Sequence, residues 1–355
     1  MKKAKTNQST KSRVAARQNA FTLITGATGF VGRHLAAHLA EKGRRLRILA
    51  RSGSDLSVLP EGVDVFTGDI TDPASLKGIA DNVNEVFHVA CAAPGTFAAG
   101  KDDEKAFFSV NRDGTGNLLN EMYRHFDNRI PCAFVHLSST AAMGAVRETV
   151  VDESTPCRPA SPYQRSKRAA ELLLLESHGR KPFPLRIVRS CLVAGEGKDK
   201  SEFISMFRLI KNGLFPILDG RDNLRKPMIS VYDLVEALRL ASENGRDGET
   251  YLVTSGTPYT LRELIKTTGE VMGRTTKGLN LPSGLLRIAA TLGETLAAFT
   301  SINPPITHAR IELYMRDRDI VIDKAVRELG FKPSHTDLYE MLYETWKYHH
   351  ERGDI

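Results

Sequence analysis

The chain has 355 residues, of which 41% are hydrophobic and 26% charged, and its formal net charge is +7. This composition is globular and excludes a fibrous, collagen-like or mostly disordered protein, while the length suits one large domain or two interleaved ones. Four cysteines without a C-x-x-C pair match neither a zinc site nor a disulfide framework, so the sequence predicts no metal and a reducing, cytoplasmic location.

Most of the positive charge lies at the amino terminus. Residues 1–20 contain six Lys and Arg residues and no acidic residue, which leaves the rest of the chain at +1. A nucleic-acid-binding fold needs a basic face, so no nucleic-acid partner is expected. The segment is polar and lacks the apolar stretch of a secretory signal, and a transit peptide is the less favoured alternative. Residues 1–20 are therefore predicted to be a disordered basic tail.

Six short apolar segments alternate with helical patterns through the first half of the chain. The predicted strands are 21–25, 46–50, 63–66, 85–90, 133–137 and 185–189. Strands that alternate with helices form βαβ units with right-handed crossovers. The sequence therefore predicts an α/β fold with a doubly wound parallel sheet, the Rossmann arrangement, over residues 21–189.

The pattern becomes less regular after residue 189. Helical patterns recur at 203–211, 233–241, 261–272 and 283–299, and a strand pattern at 251–254. We expect residues 190–348 to form a smaller, partly helical substrate-binding lobe, with some segments returning to the first domain. The apolar stripe of 283–299 is typical of ordinary core, and otherwise of a pocket wall or a membrane or partner contact. Charged residues interrupt that stretch, so no transmembrane segment is predicted.

A glycine-rich turn joins the first predicted strand to its helix. The segment reads Gly26-Ala27-Thr28-Gly29-Phe30-Val31-Gly32, with the spacing G-x-x-G-x-x-G. Glycine permits the tight turn, lets backbone N–H groups approach a pyrophosphate, and seats the helix closely against the sheet. A dinucleotide is therefore expected to bind at this turn.

The end of the second strand indicates which dinucleotide is preferred. An acidic side chain at this place accepts hydrogen bonds from the adenosine ribose of NAD. This chain instead has Ala50 followed by Arg51, whose guanidinium can bind a 2′-phosphate, and Ser52 can add a donor. NADP(H) is favoured over NAD(H), the alternative being that Arg51 is a solvated loop cation. Past the third strand, Asp69 and Ile70 are expected beside the adenine, unless Asp69 only caps the next turn.

A tyrosine and a lysine four residues apart suggest the catalytic groups. Tyr163 and Lys167 lie one helical turn apart on the same face. A free phenol titrates near about 10, and a neighbouring ammonium favours its anion, which makes it a usable acid–base group. Ser139 follows the fifth strand, at the carboxyl end of the sheet where ligands bind. This placement favours an active site over a plain surface pair.

The chain resembles the extended short-chain dehydrogenase/reductase family over about residues 21–348. The segments that carry the resemblance are 25–32, 68–70, 88–90, 111–115, 137–139, 163–167, 230–234, 323–325 and 328–333. The resemblance implies an NAD(P)-dependent oxidoreductase and a homodimer. It implies that Tyr163 is the general acid or base, that Lys167 holds the nicotinamide ribose, and that Ser139 bonds the reacting oxygen. The implied cofactor contacts are Gly26, Thr28, Gly29, Phe30, Val31, Gly32, Arg51, Asp69, Ile70, Val89, Ala90, Tyr163 and Lys167.

The substrate side departs from the family members that act on sugar nucleotides. Met143 stands where those proteins often have tyrosine, and Leu192 where they often have asparagine. The pocket is therefore expected to be less polar, as in dihydroflavonol reductases and 3β-hydroxysteroid dehydrogenases. Arg221, Arg225 and Lys226 nevertheless stand where a diphosphate is often held, unless they form a solvated loop. These three cations and Met143 are the candidate substrate contacts.

Three functions remain open from the sequence. The favoured one is a reductase or dehydrogenase that interconverts a ketone and a secondary alcohol with exchanging NADP(H). The second is an epimerase or dehydratase, in which bound NAD transiently oxidises a sugar carbon. The third, a non-catalytic dinucleotide-binding scaffold or sensor, is disfavoured because the chain keeps Ser139, Tyr163 and Lys167.

Four histidines invite a metal or catalytic interpretation. His34 and His38 are one turn apart on the first helix, but no cysteine or carboxylate has ligand spacing to them, so they are taken as ordinary helix residues. His88 and His136 lie in strands next to the expected cofactor. They are expected to shape the site rather than to donate protons.

Overall fold

A parallel seven-stranded sheet organises the molecule. The computed structural model describes residues 20–94, 96, 104–125, 133–197, 202–276, 278–297, 311 and 315–355, so all but the last residue of the predicted tail 1–20 lies outside it. The sheet strands are β1 (Phe21–Thr25), β2 (Leu46–Ala50), β3 (Asp64–Thr67), β4 (Val83–His88), β5 (Ala133–Ser139), β7 (Leu185–Ser190) and β12 (Glu249–Val253). Their order is β12-β7-β5-β4-β1-β2-β3, and every neighbouring pair is parallel. The doubly wound sheet predicted from the sequence is confirmed.

The helices in the described residues include those that connect these strands and cover both faces of the sheet, and those of the carboxyl-terminal segments. They are α1 (Phe30–Glu41), α2 (Glu104–Phe108), α3 (Gly114–His125), α4 (Pro162–Arg180), α5 (Glu202–Lys211), α6 (Val231–Asn244), α7 (Leu261–Val271), α8 (Ser283–Ala297) and α9 (Leu338–Glu351). Short 3₁₀ turns lie at Pro73–Leu76 and Thr140–Met143, and π-type turns at Ser109–Asp113 and Ala325–Leu329.

Two apolar layers hold the helices on the sheet. On one face, Leu35 of α1 and Leu238 of α6 pack with Ile24 of β1. On the other face, Leu118 of α3 and Leu174 of α4 join a separate cluster with β-strand residues. Strands covered on both faces are continuously apolar rather than alternating, which is why short apolar runs in the sequence located them.

The carboxyl-terminal half contributes to the sheet and also builds smaller units. Strand β12 adds to the edge of the sheet beside β7. The short strands are β6 (Val150–Val151), β8 (Leu192–Ala194), β9 (Pro216–Leu218), β10 (Arg225–Lys226), β11 (Met228–Ser230), β13 (Tyr259–Thr260), β14 (Leu279–Leu281) and β15 (Asp319–Ile320). They form the two-stranded pairs β10-β13, β11-β8, β14-β9 and β15-β6. The division into 21–189 and 190–348 stays a prediction.

Helix α8 differs from the expectation that its apolar stripe is core. Leu285, Ile288 and Leu292 are 60%, 61% and 61% exposed, whereas Ala290 on the opposite side is buried against the lobe. A helix on the rim of a lobe buries only the side that meets its neighbours, and periodicity alone does not say which side that is. Among the described residues, no helix combines the length and the apolar character that crossing a bilayer requires.

Candidate active site

The glycine turn has the close-packed form that phosphate binding requires. Gly26 has φ +75°, and a Cβ there would lie 2.7 Å from the Ala90 backbone. A Cβ on Gly32 would lie 2.0 Å from the Gly26 carbonyl oxygen, so α1 packs directly on the turn. Helix α1 follows Gly29 and has no side-chain cap, which leaves its first-turn N–H groups to an outside acceptor. A dinucleotide pyrophosphate fits this cradle.

The remaining predicted cofactor residues lie around this turn. Thr28, Phe30 and Val31 are partly exposed at the start of α1. Val89 is buried, and its backbone N–H donates to the Thr25 carbonyl at 3.2 Å. Ile70 is buried in the second core layer, and its place beside the adenine stays a prediction.

A surface pocket lies at the carboxyl ends of β2 and β3. Its lining is Arg51, Ser52, Gly53, Ser54, Thr67, Gly68, Asp69 and Ser75. Arg51 and Ser52 are exposed there. Burial opposes ionisation of Asp69, but hydrogen bonds from Thr71 and the charge of Arg51 keep the pKa of Asp69 below its ordinary value. Asp69 Oδ1 accepts the Thr71 N–H at 2.8 Å, and Asp72 rather than Asp69 caps the 3₁₀ turn Pro73–Leu76.

Helix α4 carries the tyrosine and the lysine. Ser161 and Gln164 form a capping box at its start, with Pro162 in the first turn, so the helix begins one residue before Tyr163. Tyr163 is partly exposed, and its ring centroid lies 5.7 Å from that of Phe107. The buried Lys167 donates from Nζ to the Leu137 carbonyl oxygen at 2.9 Å.

Ser139 ends strand β5 beside this helix. Its Oγ accepts the Ala141 N–H at 3.1 Å and caps the 3₁₀ turn Thr140–Met143, which packs against α4. Ser139, Tyr163 and Lys167 thus gather at the carboxyl end of β5, and β4 separates β5 from β1, the strand that precedes the glycine turn. A phenol, an aliphatic hydroxyl and an ammonium group at the carboxyl end of one strand can bind an oxygen atom of a substrate and exchange a proton with it.

Asn111 is buried close to this group of residues and links two segments of the chain. Its Nδ2 donates to the Ala92 carbonyl and to Ser166 Oγ, both at 2.9 Å, and its Oδ1 accepts the Ala92 N–H at 2.8 Å. These contacts tie the segment after β4 to α4. Asn111 therefore acts as an architectural link between these two segments.

Two neutral imidazoles lie beneath Lys167. The Thr115 hydroxyl donates its hydrogen to the Asn111 carbonyl at 2.6 Å, so it can only accept a hydrogen bond from the His88 ring. His88 therefore donates from Nε2 to the Thr115 hydroxyl at 2.7 Å, and its Nδ1 accepts a hydrogen bond from the Thr25 hydroxyl at 2.7 Å. The ring of His136 lies 5.1 Å from that of His88, centroid to centroid. Burial and the charge of Lys167 lower the pKa of His88 to about 3, and the same causes hold the pKa of His136 well below its ordinary value. Neither ring is poised to donate a proton near neutrality.

This pair makes stability depend on pH. The pKa of each histidine is lower in the folded chain than in the unfolded chain. Below about pH 6.5, the unfolded chain therefore binds protons at these histidines that the folded chain does not bind. We expect the free energy of unfolding to fall as the pH drops from 6.5 towards 4, by up to about 1.4 kcal/mol per pH unit for each histidine. Urea unfolding across this range should show the fall, and His136→Phe should have a shallower slope. Parallel curves would contradict the assignment.

The predicted substrate residues occupy different environments. Met143 is buried in the main core, so its side chain supports the loop after Ser139 from inside. Arg225 pairs with Asp317 at 3.0 Å and Asp319 at 2.8 Å, and both carboxylates neutralise it. Lys226 donates from Nζ to the Arg316 carbonyl at 2.9 Å, and Arg221 is exposed. Their contact with a substrate stays a prediction.

Sequence reasoning missed two arginines that reach this region from the carboxyl-terminal segment. Arg316 donates to the Gly144 carbonyl oxygen at 2.9 Å, and Arg318 donates to the same oxygen. Burial and the charge of Arg316 lower the pKa of Arg318 to about 10, and burial, opposed by Asp317, lowers that of Lys226 to about 8. The only signal in the sequence was the pair of arginines in Arg316-Asp317-Arg318. It points to Gly144 only once the fold is known.

The two histidines of α1 make ordinary contacts. His38 Nε2 lies 3.0 Å from Glu236, and His34 Nε2 lies 2.8 Å from the Glu196 carbonyl. Within the described ranges, no group of three or more His, Cys, Asp or Glu side chains is arranged to hold a metal ion.

Comparisons with known proteins agree with this geometry. The family model of the NAD dependent epimerase/dehydratase family matches residues 22–254. A 4-hydroxy-2-methyl-3-oxo-4-farnesyl-3,4-dihydroquinoline-1-oxide ketoreductase from Stigmatella aurantiaca is 31% identical, over 87% of this chain and 91% of that protein. A 3 beta-hydroxysteroid dehydrogenase/Delta 5-->4-isomerase from Mycobacterium tuberculosis is 28% identical, over 88% and 86%.

A solved structure shows the same fold. The crystal structure of a UDP-glucose 4-epimerase superposes with a TM-score of 0.73 and 20% identity, covering 94% of this chain and 98% of that one. The resemblance inferred from the sequence motifs is therefore confirmed. The chain belongs to the NAD dependent epimerase/dehydratase family of extended short-chain dehydrogenases/reductases, and it is an NAD(P)-dependent oxidoreductase.

Proposed function

We propose that the protein interconverts an apolar ketone and the corresponding secondary alcohol, with NADP(H) that exchanges in each turnover. The observation that carries the proposal is the gathering of Ser139, Tyr163 and Lys167 at the carboxyl end of β5, with Lys167 held on the Leu137 carbonyl at 2.9 Å. A non-catalytic scaffold would have no need of this arrangement, so that alternative is disfavoured.

Ser139, Tyr163 and Lys167 have different roles at the substrate oxygen. The cofactor supplies or accepts a hydride at carbon when bound in the glycine cradle. In the direction of reduction, the Tyr163 hydroxyl gives its proton to the carbonyl oxygen, and the Ser139 hydroxyl donates a hydrogen bond to the same oxygen. The Lys167 ammonium, at the carboxyl end of β5, stabilises the phenolate left on Tyr163 and binds a hydroxyl of the nicotinamide ribose. Oxidation of the alcohol uses the same groups in reverse.

The substrate class rests on two apolar replacements in the sequence and on the relatives. Met143 and Leu192 replace the polar side chains of sugar-nucleotide enzymes, and the structure places them in or against apolar clusters. Two relatives are named for a farnesylated ketone and for a hydroxysteroid. Both names describe large, mostly apolar molecules with an oxygen to reduce or oxidise. We therefore place the substrate of this protein in that class.

The preference for NADP(H) rests on the pocket of Arg51. An exposed guanidinium beside Ser52 and Ser54 supplies the donors that a 2′-phosphate needs, and no carboxylate stands at the end of β2 to repel it. A homodimer and a cytoplasmic location also belong to the proposal, from the family resemblance and the cysteine pattern. Light scattering and fractionation test these two points.

A second candidate, a nucleotide-sugar epimerase or dehydratase, has one specific observation in its favour. Lys226, Arg316 and Arg318 approach one another behind Gly144, and mutual repulsion contributes to the lowered pKa values of Lys226 and Arg318. Such crowded cations favour an anionic ligand. This candidate requires NAD that stays bound through the reaction.

One experiment separates the two candidates. The purified protein is denatured, and any released nucleotide is identified by mass spectrometry. An empty protein, or one with traces of NADP(H) that rebinds NADPH in preference to NADH, supports the exchanging reductase. Stoichiometric NAD, together with thermal stabilisation by UDP-glucose, would transfer the assignment to the second candidate. Turnover is then measured as NADPH oxidation with cyclohexanone, 2-decalone and androst-4-ene-3,17-dione.

A further inference from the structure

A fully buried carboxylate lies directly behind the candidate catalytic groups. The Glu171 side chain is 0% exposed, and that of its partner Arg189 is 4% exposed. Glu171 accepts from Arg189 Nε and Nη2, both at 2.8 Å, from Ser138 Oγ at 2.6 Å and from Arg168 Nη1 at 2.9 Å. We call these four residues the Glu171 network.

The Glu171 network joins the elements that carry the candidate catalytic residues. Glu171 lies on α4 one turn after Lys167 and two turns after Tyr163, on the side of the helix that faces the sheet. Ser138 precedes Ser139 on β5. Arg189 stands opposite Ser138 in the register between β5 and β7. One carboxylate therefore connects α4, β5 and β7 at the point where the proposed acid–base groups meet.

Stability alone is a poor explanation for this arrangement. An ion pair removed from water loses most of its attraction to desolvation, and well-packed apolar residues often serve a core as well or better. Burial opposes ionisation of Glu171, but the hydrogen bonds and charge of Arg189, with Ser138 and Arg168, hold the pKa of Glu171 below its ordinary value. The carboxylate is thus charged and directional, and its hydrogen bonds fix the distance between helix and strand more narrowly than apolar contacts would.

We propose that Glu171, with Arg189 and Ser138, is a positioning residue that fixes Tyr163 and Lys167 relative to Ser139. The inference rests on the proposed roles of those three residues. It concerns catalytic geometry: the Glu171 network touches neither substrate nor cofactor but sets the separation of the two groups that share the substrate oxygen. A displacement of about 1 Å in such a pair can cost on the order of 100-fold in rate.

The test uses two variants of the network and one matched control. Glu171→Gln removes the charge and keeps the shape, and Ser138→Ala cuts only the link to the strand that ends in Ser139. Glu121→Gln is the control, since Glu121 is also a buried helix carboxylate, with donors Gly78, Arg124 and His125, but lies in α3 away from β5. All are full-length proteins whose thermal unfolding and NADPH affinity are measured first.

We expect kcat for the most active ketone of the panel to fall by about 10- to 100-fold in Glu171→Gln and by about 3- to 10-fold in Ser138→Ala. The KM for NADPH should stay within about twofold, because the glycine cradle is untouched. The double variant should lose little more than Glu171→Gln alone, since both changes break one connection. Glu121→Gln should lower the melting temperature without lowering kcat.

Different results overturn different statements. If Glu171→Gln and Ser138→Ala keep the wild-type kcat, or lose it only in proportion to the unfolded fraction, the positioning role is wrong and the network is only structural. If Glu171→Gln does not fold, Ser138→Ala decides alone. If Tyr163→Phe turns over as fast as the wild type, or the wild type reduces no ketone of the panel, the proposed function itself fails, whatever the network variants do.

Discussion

Replacing Tyr163 by phenylalanine is expected to lower turnover by about 10²- to 10⁴-fold, the usual contribution of a positioned acid–base group. The substitution removes one oxygen atom and keeps the ring that lies 5.7 Å from Phe107, so α4 and the cleft should retain their shape. Dinucleotide affinity should therefore change by no more than about threefold. The measurements are kcat by NADPH oxidation and Kd by quenching of protein fluorescence.

Tyr123→Phe provides the matched control for this prediction. Tyr123 lies on α3, and its hydroxyl donates to the Lys181 carbonyl at 3.1 Å, away from the carboxyl end of the sheet. Its loss should cost some stability and leave kcat unchanged. Equal rates in the Tyr163→Phe variant and the wild type would show that another group handles the proton, and would remove the basis for the acid–base assignment.

Replacing Arg51 by glutamine is expected to weaken NADPH binding by about 10- to 100-fold while NADH binding stays the same. A charge-assisted hydrogen bond contributes about 1.5–3 kcal/mol, and only the 2′-phosphate of NADPH is there to receive it. The difference between the two cofactors should shrink at high salt because Arg51 is exposed. Kd values for both dinucleotides at two salt concentrations test the prediction.

Arg45→Gln controls for the loss of a surface charge. Arg45 is also exposed near β2, but at the opposite end of the strand, where its guanidinium lies 4.5 Å from the centre of the Phe21 ring. It should affect neither dinucleotide. If Arg51→Gln also affects neither, Arg51 is a solvated loop cation and the preference for NADP(H) loses its structural support.

Local signals in the sequence were sufficient for the sheet and the glycine turn. Each apolar run that predicted a strand through residue 189 overlaps a strand of the sheet. Interior strands such as β1 are buried on both faces and leave an apolar pattern, whereas the edge strand β3 alternates between partly buried and exposed residues. Gly26 and Gly32 were identifiable because backbone close approach leaves room for no other residue type. Tyr163 and Lys167 were found because helical spacing places them on one face.

The Glu171 network and the arginines at Gly144 depend on information that no local pattern contains. Glu171 meets Ser138 across 33 positions and Arg189 across 18, and the register of β5 on β7 decides that contact. Arg316 reaches Gly144 across 172 positions. Helix α8 shows the same limit, since its periodicity indicated an apolar side and the packing of the lobe left that side exposed. Contacts between distant segments depend on the topology of the fold, which cannot be predicted from local patterns in a single sequence.

The place of β12 in the sheet has a consequence for how the protein is made. β7 is an interior strand of the finished sheet only because β12, formed by residues 249–253, pairs with it. A nascent chain that ends before residue 249 presents β7 as an unpaired, apolar edge, and such edges pair readily with other chains. Synthesis of the 58 residues between β7 and β12 takes several seconds at about 5–20 residues per second. We therefore expect fragments cut near residue 190 to aggregate, and the vulnerable interval in biosynthesis to end when β12 leaves the ribosome.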